Sequence, residues 1–125
     1  MPWQFLDYVN ARGQNDIRDW LVSLPKKAQA KIDRLILILR TYEGPWPPQY
    51  VSALRGYEGL YELRVVASGV QYRPLGFFGP GAREFTLLIG AVEKGKLSRR
   101  VCETAFRRRQ EVLADRSRAR EHEFS

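Results

Sequence analysis

The fold is decided by residues 60–96, which read LYELRVVASGVQYRPLGFFGPGAREFTLLIGAVEKGK. Apolar runs occupy 60–67, 71–78 and 85–93, and a Ser-Gly pair and a Gly-Pro-Gly triplet separate them. Such runs with short breakers predict three consecutive strands joined by two tight turns. The third run contains Leu87-Leu88-Ile89, which is apolar on both faces, so we expect this strand to be central in its sheet.

Cations interrupt or follow these predicted strands. Arg64 and Arg73 stand inside the first two runs, and Lys94 and Lys96 follow the third. A cation in a strand interior loses solvation, which needs compensation from a partner or from a function. The pattern therefore predicts an anion site, and polyanionic RNA is the natural candidate.

The flanking segments predict helices and one further strand. Residues 3–9 alternate loosely and are aromatic-rich, which predicts a first strand. Asn15 or Asp16 can cap a short helix, and Pro25 starts a second that runs to about Tyr42. The three prolines within Gly44-Pro45-Trp46-Pro47-Pro48 end that helix.

A last helix is predicted from the cap Ser98 to about Ala114. Its apolar stripe is Val101, Cys102, Ala105, Phe106, Val112 and Leu113. The tail 115–125 has no apolar period, so it is predicted to be loose and its His122 inert. The expected architecture is α+β: an antiparallel meander with an N-terminal strand, two N-terminal helices and a C-terminal helix, in one domain over 1–125.

Composition narrows the class of protein. The chain has 125 residues and a formal net charge of +7, of which residues 60–125 carry +5. This excess favours an acidic partner such as nucleic acid or an acidic protein. A single cysteine allows no intrachain disulfide and fits a reducing cytoplasm. The start resembles no signal peptide, and no apolar run approaches the roughly 20 residues of a membrane span, so we expect no membrane association.

The ordered set LYELR at 60–64, QYRPLGFF at 71–78 and FTLLIGAVEKGK at 85–96, with the closing helix, resembles the RelE/ParE toxin superfamily. Within it, the phage-derived Gp49-like and HigB-type branch is most similar, over roughly residues 3–114. The resemblance implies a small toxin of a type II toxin–antitoxin module that cleaves mRNA, often on the ribosome, without metal or other cofactor. It also implies neutralisation by a separately encoded antitoxin, of the helix-turn-helix kind.

The resemblance assigns roles by position. Arg64 is expected near the substrate, Arg73 at the scissile phosphate, and Lys94 and Lys96 in the same cationic patch. The residues expected to contact RNA besides the catalytic Arg64, Arg73 and Lys94 are Lys96, Tyr72, Glu62, Arg99 and Arg100. The sequence departs from the family pattern at Glu93, where relatives carry a basic residue, and at Leu97-Ser98, where they often have Thr-Pro.

The chemistry of such a site can be stated from the residues alone. RNA cuts itself when its 2′-hydroxyl attacks the adjacent phosphate in line, and fixed guanidinium groups can align that attack and stabilise the added charge. No metal-ligand spacing is visible among the carboxylates, so no metal is expected. The general base stays open among Tyr72, Glu62 and Lys94, since geometry decides the choice.

Each assignment has a structural alternative. Arg64 can pair with Glu62, and Arg73 with Glu84 or Glu93. Lys94 and Lys96 can be exposed turn residues, Tyr72 can be a packing residue of its strand, and Cys102 is predicted to lie in the core. The run Arg107-Arg108-Arg109 is either a solvated helix face or a surface for phosphate or an acidic antitoxin segment.

Two other functions remain open at this stage. Relatives of the ParE type poison DNA gyrase, although they typically lack the full set of cations that Arg64, Arg73 and Lys94 represent. A non-catalytic nucleic-acid binder that uses residues 99–109 is the other alternative.

Overall fold

The computed structural model describes residues 2–124, and within them it contains three α-helices and eight strands. The helices are α1 (Asp16–Val22), α2 (Lys26–Arg40) and α3 (Arg99–Ala114), and one turn of 3-10 helix follows at Arg116–Arg118. The strands are β1 (Gln4–Tyr8), β2 (Val51–Ala53), β3 (Tyr61–Leu63), β4 (Val65–Ala67), β5 (Val70–Tyr72), β6 (Leu75–Phe78), β7 (Glu84–Ile89) and β8 (Ala119–Glu121).

Six strands form the main sheet, in the order β2, β3, β6, β7, β1, β8. All neighbouring pairs are antiparallel except β1 and β7, which run parallel. Strand β7 lies between β6 and β1, and its residues from Glu84 to Leu88 are buried, as their two-sided apolar pattern predicted. The α+β class with its antiparallel core, N-terminal strand and three helices is thereby confirmed.

The helices begin where the sequence provides caps. The Asn15 side chain accepts a hydrogen bond from the Arg18 N–H at 2.8 Å, and the Ser98 hydroxyl accepts one from the Val101 N–H at 3.3 Å. Each cap satisfies one of the backbone donors that the first helical turn leaves unpaired. α1 packs against β1 and β7, and α3 packs against β6 and β7, so the central strands are covered by helices.

Two of the predicted strands are interrupted at their cations. The run 60–67 is β3 and β4 with a break at Arg64, and the run 71–78 is β5 and β6 with a break at Arg73-Pro74. Proline has no N–H for a sheet and disfavours helical backbone before it, which accounts for the second break. β4 and β5 form a separate two-stranded hairpin. The two arginines therefore lie at bends between sheets, not inside strands.

The prediction of a loose tail is wrong. Residues after Ala114 form a 3-10 turn and then β8, which pairs with β1 through Leu6 and Glu121. His122 follows and is 5% exposed. The tail has no apolar period because a polar pairing network, not an apolar face, holds it in place.

Three smaller differences concern the edges of elements. Strand β2 forms between the proline segment and residue 60, where the sequence predicted no strand, and β7 ends at Ile89 instead of Glu93. On α3, Phe106 and Leu113 are exposed at 38% and 53%, although the apolar stripe included them. Val101, Cys102, Ala105 and Val112 are buried as predicted.

Candidate functional site

The two interrupted strands open onto a cleft of about 710 Å³. Its walls are the β2–β3 loop, the bends at Arg64 and Arg73, and the start of α3. The charged residues that line it are Arg55, Arg64, Arg73, Lys96, Arg99 and Glu62. Five cations and one carboxylate therefore face the same space, which gives the cleft a strongly positive field.

A smaller concavity of about 190 Å³ adjoins this cleft on the side of the β4–β5 hairpin. It shares Glu62, Arg64 and Arg73 with the larger cleft, and its remaining wall includes Gln71 and Tyr72. The shared residues thus form the boundary between the two spaces. An extended ligand that crosses this boundary would pass directly over the two guanidinium groups.

Glu62 is the centre of this boundary. Its side chain is 4% exposed, and each carboxylate oxygen accepts from a different arginine. Arg64 Nε donates to Oε1 at 3.2 Å, while Nε and Nη2 of Arg73 both lie 2.7 Å from Oε2. The anticipated pair of Arg64 with Glu62 is present, and Glu62 also holds Arg73.

Arg73 is held on its other side as well. Its Nη1 donates to the carbonyl oxygen of Glu93 at 3.2 Å and to that of Gly95. The side chain is 14% exposed. Arg73 therefore connects β3 to the loop after β7, and most of its five N–H donors are already occupied. Of its two anticipated carboxylate partners, Glu93 contributes only its backbone, and Glu84 pairs with Arg116 instead.

Arg64 differs from Arg73 in how much of its guanidinium is available. Its side chain is 53% exposed, and only Nε is bound to Glu62. Among the residues that the structure describes, Nη1 and Nη2 of Arg64 have no hydrogen-bond partner. These two nitrogens form the edge of the fork that can grip a phosphate bidentately.

The unusual Glu93 has a structural explanation. Its Oε1 accepts the N–H of Ser98, the cap of α3, at 2.9 Å, and its carbonyl oxygen accepts from Arg73. A lysine at this position could not accept the first of these bonds. The carboxylate therefore fixes the loop between β7 and α3, which carries Lys96 toward the cleft.

Of the remaining predicted site residues, some line the two spaces and others lie outside them. Lys96 and Arg99 line the larger cleft, and Tyr72 is 6% exposed beside the smaller one. Lys94 and Arg100 are exposed at positions outside the linings of the two spaces. The loop after β7 thus brings only the second of its two lysines into the site.

Sequence reasoning missed Arg55 and Tyr57. Both line the larger cleft from the β2–β3 loop, where Gly56 and Gly59 have φ of +84° and +86°. Glycine adopts this left-handed conformation without strain, so the two glycines allow a tight loop that turns toward α3, where Gly59 lies next to the Arg109 side chain. The signal was the spacing of these glycines around a cation and an aromatic residue.

The other candidates along α3 are structural. Cys102 is 5% exposed at the floor of the cleft, and burial, together with the nearby charge of Glu93, raises the pKa of its thiol. Arg108 pairs with Asp16 at 3.2 Å and donates to the Leu88 carbonyl oxygen at 2.8 Å. Arg109 lies over the Phe77 ring at 5.6 Å. Only Arg107 of this run has a mostly exposed side chain, at 63%.

A second charged cluster lies at the C-terminal end of the fold. The ring of His122 contacts Asp7 Oδ1 through Nδ1 at 2.7 Å and Asp33 Oδ1 through Nε2 at 3.1 Å. Asn15 Nδ2 also donates to Asp7 at 2.9 Å. Burial lowers the pKa of His122, but the hydrogen bonds and charges of Asp33 and Asp7 outweigh it and raise that pKa to about 9. The placement of His122 in a loose tail is wrong, because its ring is buried and contacts two carboxylates.

The described residues, 2–124, contain neither a cluster suited to a metal ion nor a helix suited to a membrane. Among residues 2–124, no group of three or more His, Cys, Asp or Glu side chains is arranged to hold a metal ion. None of the helices in the same range is long and apolar enough to cross a membrane.

Comparisons with known proteins agree with this architecture. The model of the family described as "Phage derived protein Gp49-like" matches residues 19–110. A free-state structure of an E. coli RelE toxin variant, with two arginines changed to alanine, superimposes with a TM-score of 0.57 at 16% identity. That match covers 86% of this chain and 98% of the RelE chain, and it shows a shared fold. No curated protein sequence matches significantly. The chain therefore belongs to the phage-derived Gp49-like family, a family of RelE-like toxins.

Proposed function

We propose that this protein is the toxin of a toxin–antitoxin module and an endoribonuclease that cuts mRNA on the ribosome without a metal ion. The observation that carries the proposal is the cationic excess of the cleft, where Arg55, Arg64, Arg73, Lys96 and Arg99 surround the single carboxylate Glu62. Fixed positive groups in a concave site attract the phosphate backbone and stabilise charge that develops during its cleavage.

The proposed reaction is an in-line transfer within the RNA. The 2′-oxygen forms a bond to the adjacent phosphorus, and the bond from phosphorus to the 5′-oxygen breaks. Glu62, which borders both spaces, accepts the proton of the 2′-hydroxyl. Lys96, which lines the same cleft, supplies a proton to the departing 5′-oxygen. The products are a 2′,3′-cyclic phosphate and a free 5′-hydroxyl.

In this scheme the two arginines have different tasks. Arg64 is the catalytic cation. Its Nη1 and Nη2 donate no hydrogen bond to any described residue, so they can donate to both non-bridging phosphate oxygens. Arg73 is a positioning residue, because it holds the Glu62 carboxylate and the loop that carries Lys96. Preorganised groups of this kind act without reorganisation in the transition state.

The test is a digest of one mRNA with the purified protein, in the presence and in the absence of ribosomes that translate it. The reaction is repeated with EDTA at a concentration that keeps ribosomes intact, and the ends of the products are identified. We expect cleavage with 2′,3′-cyclic phosphate and 5′-hydroxyl ends, and none where the nucleotide 5′ of the cut lacks its 2′-hydroxyl. Glu62→Gln should cut slowly. An intact message after incubation with folded protein, or products with 5′-phosphate ends, would contradict the proposal.

We also propose that the partner is a separately encoded antitoxin with an acidic segment. Family membership supports an antitoxin, and the net charge of +7 supports its acidic character. Purification of the tagged protein from a strain that carries the native operon should recover the antitoxin in equal amount. Recovery of the toxin alone, from cells that express both genes, would count against this partner.

A further inference from the structure

The larger cleft contains an aromatic side chain that the proposed chemistry does not use. Tyr57 lines it together with the cations, from the loop between β2 and β3. Among residues 2–124 it is the one aromatic residue in the lining of this cleft. We propose that Tyr57 is a stacking platform for the nucleobase beside the scissile phosphate, so that the site selects single-stranded RNA. This inference rests on the proposed function.

The loop holds the Tyr57 ring in a defined position. The carbonyl oxygen of Tyr57 accepts the N–H of Leu60 at 3.1 Å, and the half-buried residue packs against the core. Gly56 and Gly59, with positive φ on either side, set the direction of the loop. Tyr57 is therefore held by packing and also borders the open cleft, as a stacking residue requires.

Cations surround this aromatic residue. Arg55 precedes it by two residues and lines the same cleft, and Arg99 approaches from α3. Arg99 Nε donates a hydrogen bond to Glu103, and this bond, followed by the charges of Glu103 and Tyr57, raises the pKa of Arg99; Tyr57 and Arg99 both line the larger cleft. An aromatic ring between cations is the usual composition of a single-strand binding site, where the ring stacks on a base and the cations contact the adjoining phosphates.

The unequal size of the two spaces decides on which side the base lies. Beyond the boundary formed by Glu62, Arg64 and Arg73, the smaller concavity has about 190 Å³, and its tyrosine, Tyr72, is 6% exposed. The cleft with Tyr57 has about 710 Å³, which lies within the range of sites that enclose a small organic ligand. A base therefore fits beside Tyr57, and the neighbouring nucleotide lies over the hairpin side with its base outside.

Stacking on Tyr57 has a consequence for substrate choice. A base in a duplex is already stacked and paired, so it must leave the helix before it can contact the ring. The site therefore favours single-stranded message, and it tolerates different bases because every base has a π-face.

The experiment uses a single-stranded RNA with 2′-O-methyl groups at every ribose and one 2-aminopurine, which cannot be cleaved and whose fluorescence falls when the base stacks. The full-length protein is compared with Tyr57→Leu and Tyr57→Phe, and Tyr42→Leu is the control because Tyr42 is 37% exposed at the end of α2, outside the cleft. We expect wild type, Tyr57→Phe and Tyr42→Leu to quench the fluorescence. Tyr57→Leu should lose the quench, and its Kd should rise roughly fivefold to a hundredfold.

Several results would overturn the inference. Unchanged quenching and Kd in Tyr57→Leu is one, and tighter binding of the same sequence as a duplex is another. Should Tyr57→Leu fail to fold, Tyr57→Trp provides a second test, because bound RNA must quench the added indole fluorescence. Cleavage of the unmethylated RNA is measured in parallel. If wild type cleaves RNA but Tyr57→Leu quenches and binds like wild type, only the stacking inference is overturned. If quenching depends on Tyr57 but wild type does not cleave RNA, only the proposed nuclease function is overturned.

Discussion

Two charged clusters of this protein contain cations and carboxylates in opposite ratio: two cations to one carboxylate in the cleft, and one cation to two carboxylates at the C-terminal end. In the cleft, the carboxylate of Glu62 lies between two guanidinium groups, and the Arg64 side chain is 53% exposed. At the C-terminal end, His122 lies between the carboxylates of Asp7 and Asp33, and its own side chain is 1% exposed. The first cluster has a surplus of cations that faces an open space. The second cluster is buried, and its single cation contacts a carboxylate through each of its two ring nitrogens.

The difference separates a site that binds from one that only stabilises. The buried His122 has a carboxylate on each ring nitrogen and so keeps no N–H for a ligand, whereas the exposed Arg64 adds little stability and keeps Nη1 and Nη2 as donors. We therefore expect substitutions in the cleft to affect cleavage and substitutions around His122 to affect folding. Arg73 belongs to both classes, because it is mostly buried and also borders the cleft.

The largest expected effect is that of His122→Ala on stability. Asp7 and Asp33 would lose the cation that they share, and β8 would lose its connection to α2. We expect the free energy of unfolding to fall by about 3–5 kcal/mol, as for other buried pairs that lose one member. Urea denaturation measures it, and Arg120→Ala, on the exposed neighbour two residues earlier, should change it by less than about 0.5 kcal/mol. A small effect of His122→Ala would place this cluster among the dispensable ion pairs.

Alkaline pH should weaken the same cluster. The pKa of His122 is about 9 in the folded protein, above the ordinary histidine value of 6.5 that applies when the chain is unfolded. Its contribution is therefore fully present below pH 6.5 and is lost as pH rises through 9, which corresponds to roughly 3 kcal/mol. Unfolding free energies of wild type and His122→Ala, measured from pH 6 to 10, should converge toward the alkaline end. A difference that stays constant over this range would contradict a charged His122.

On the side of the cleft, Arg64→Ala should reduce kcat/KM for RNA cleavage by about a hundredfold or more, as the loss of one preorganised donor does elsewhere. Arg64→Lys should restore little, because lysine keeps the charge but loses the fork. Gel-based cleavage rates provide the measurement. Arg116→Ala is the matched control, since its side chain is 62% exposed and pairs with Glu84 away from the cleft. Equal losses in both variants would indicate a general effect of charge.

Arg73→Ala should combine both kinds of effect. It leaves the buried Glu62 with Arg64 as its remaining cationic partner, so we expect about 1–3 kcal/mol of lost stability together with lost cleavage. Adding Glu62→Gln should recover part of the stability and none of the cleavage, because a neutral amide needs less compensation. Full stability in Arg73→Ala would show that its contacts to Glu62 and to the loop contribute nothing.

The sequence was informative where local patterns decide the structure. The two-sided apolar triplet Leu87-Leu88-Ile89 predicted the central strand, and the caps Asn15 and Ser98 predicted the starts of α1 and α3. These features depend on neighbours within a few residues. The resemblance of the strand block supplied the family, which the matched residues 19–110 confirm.

What the sequence could not provide depends on contacts between distant segments. His122 meets Asp7 and Asp33 across 115 and 89 residues, and no periodicity marks such a polar contact. The pairing of Glu62 with Arg73 required the two strand breaks, which turn both arginines toward one carboxylate. The same holds for Arg55 and Tyr57, whose approach to Arg99 depends on how a loop folds back over α3.

The most direct test measures two properties of two variants side by side: the initial cleavage rate at 20 °C and the thermal melting temperature of Arg64→Ala and His122→Ala. We expect Arg64→Ala to keep the melting temperature of wild type and to lose about a hundredfold or more in cleavage rate. His122→Ala should melt far lower and, where it is still folded, cleave at nearly the wild-type rate. A folded Arg64→Ala protein that cleaves as fast as wild type would contradict the assignment of the cleft as the catalytic site.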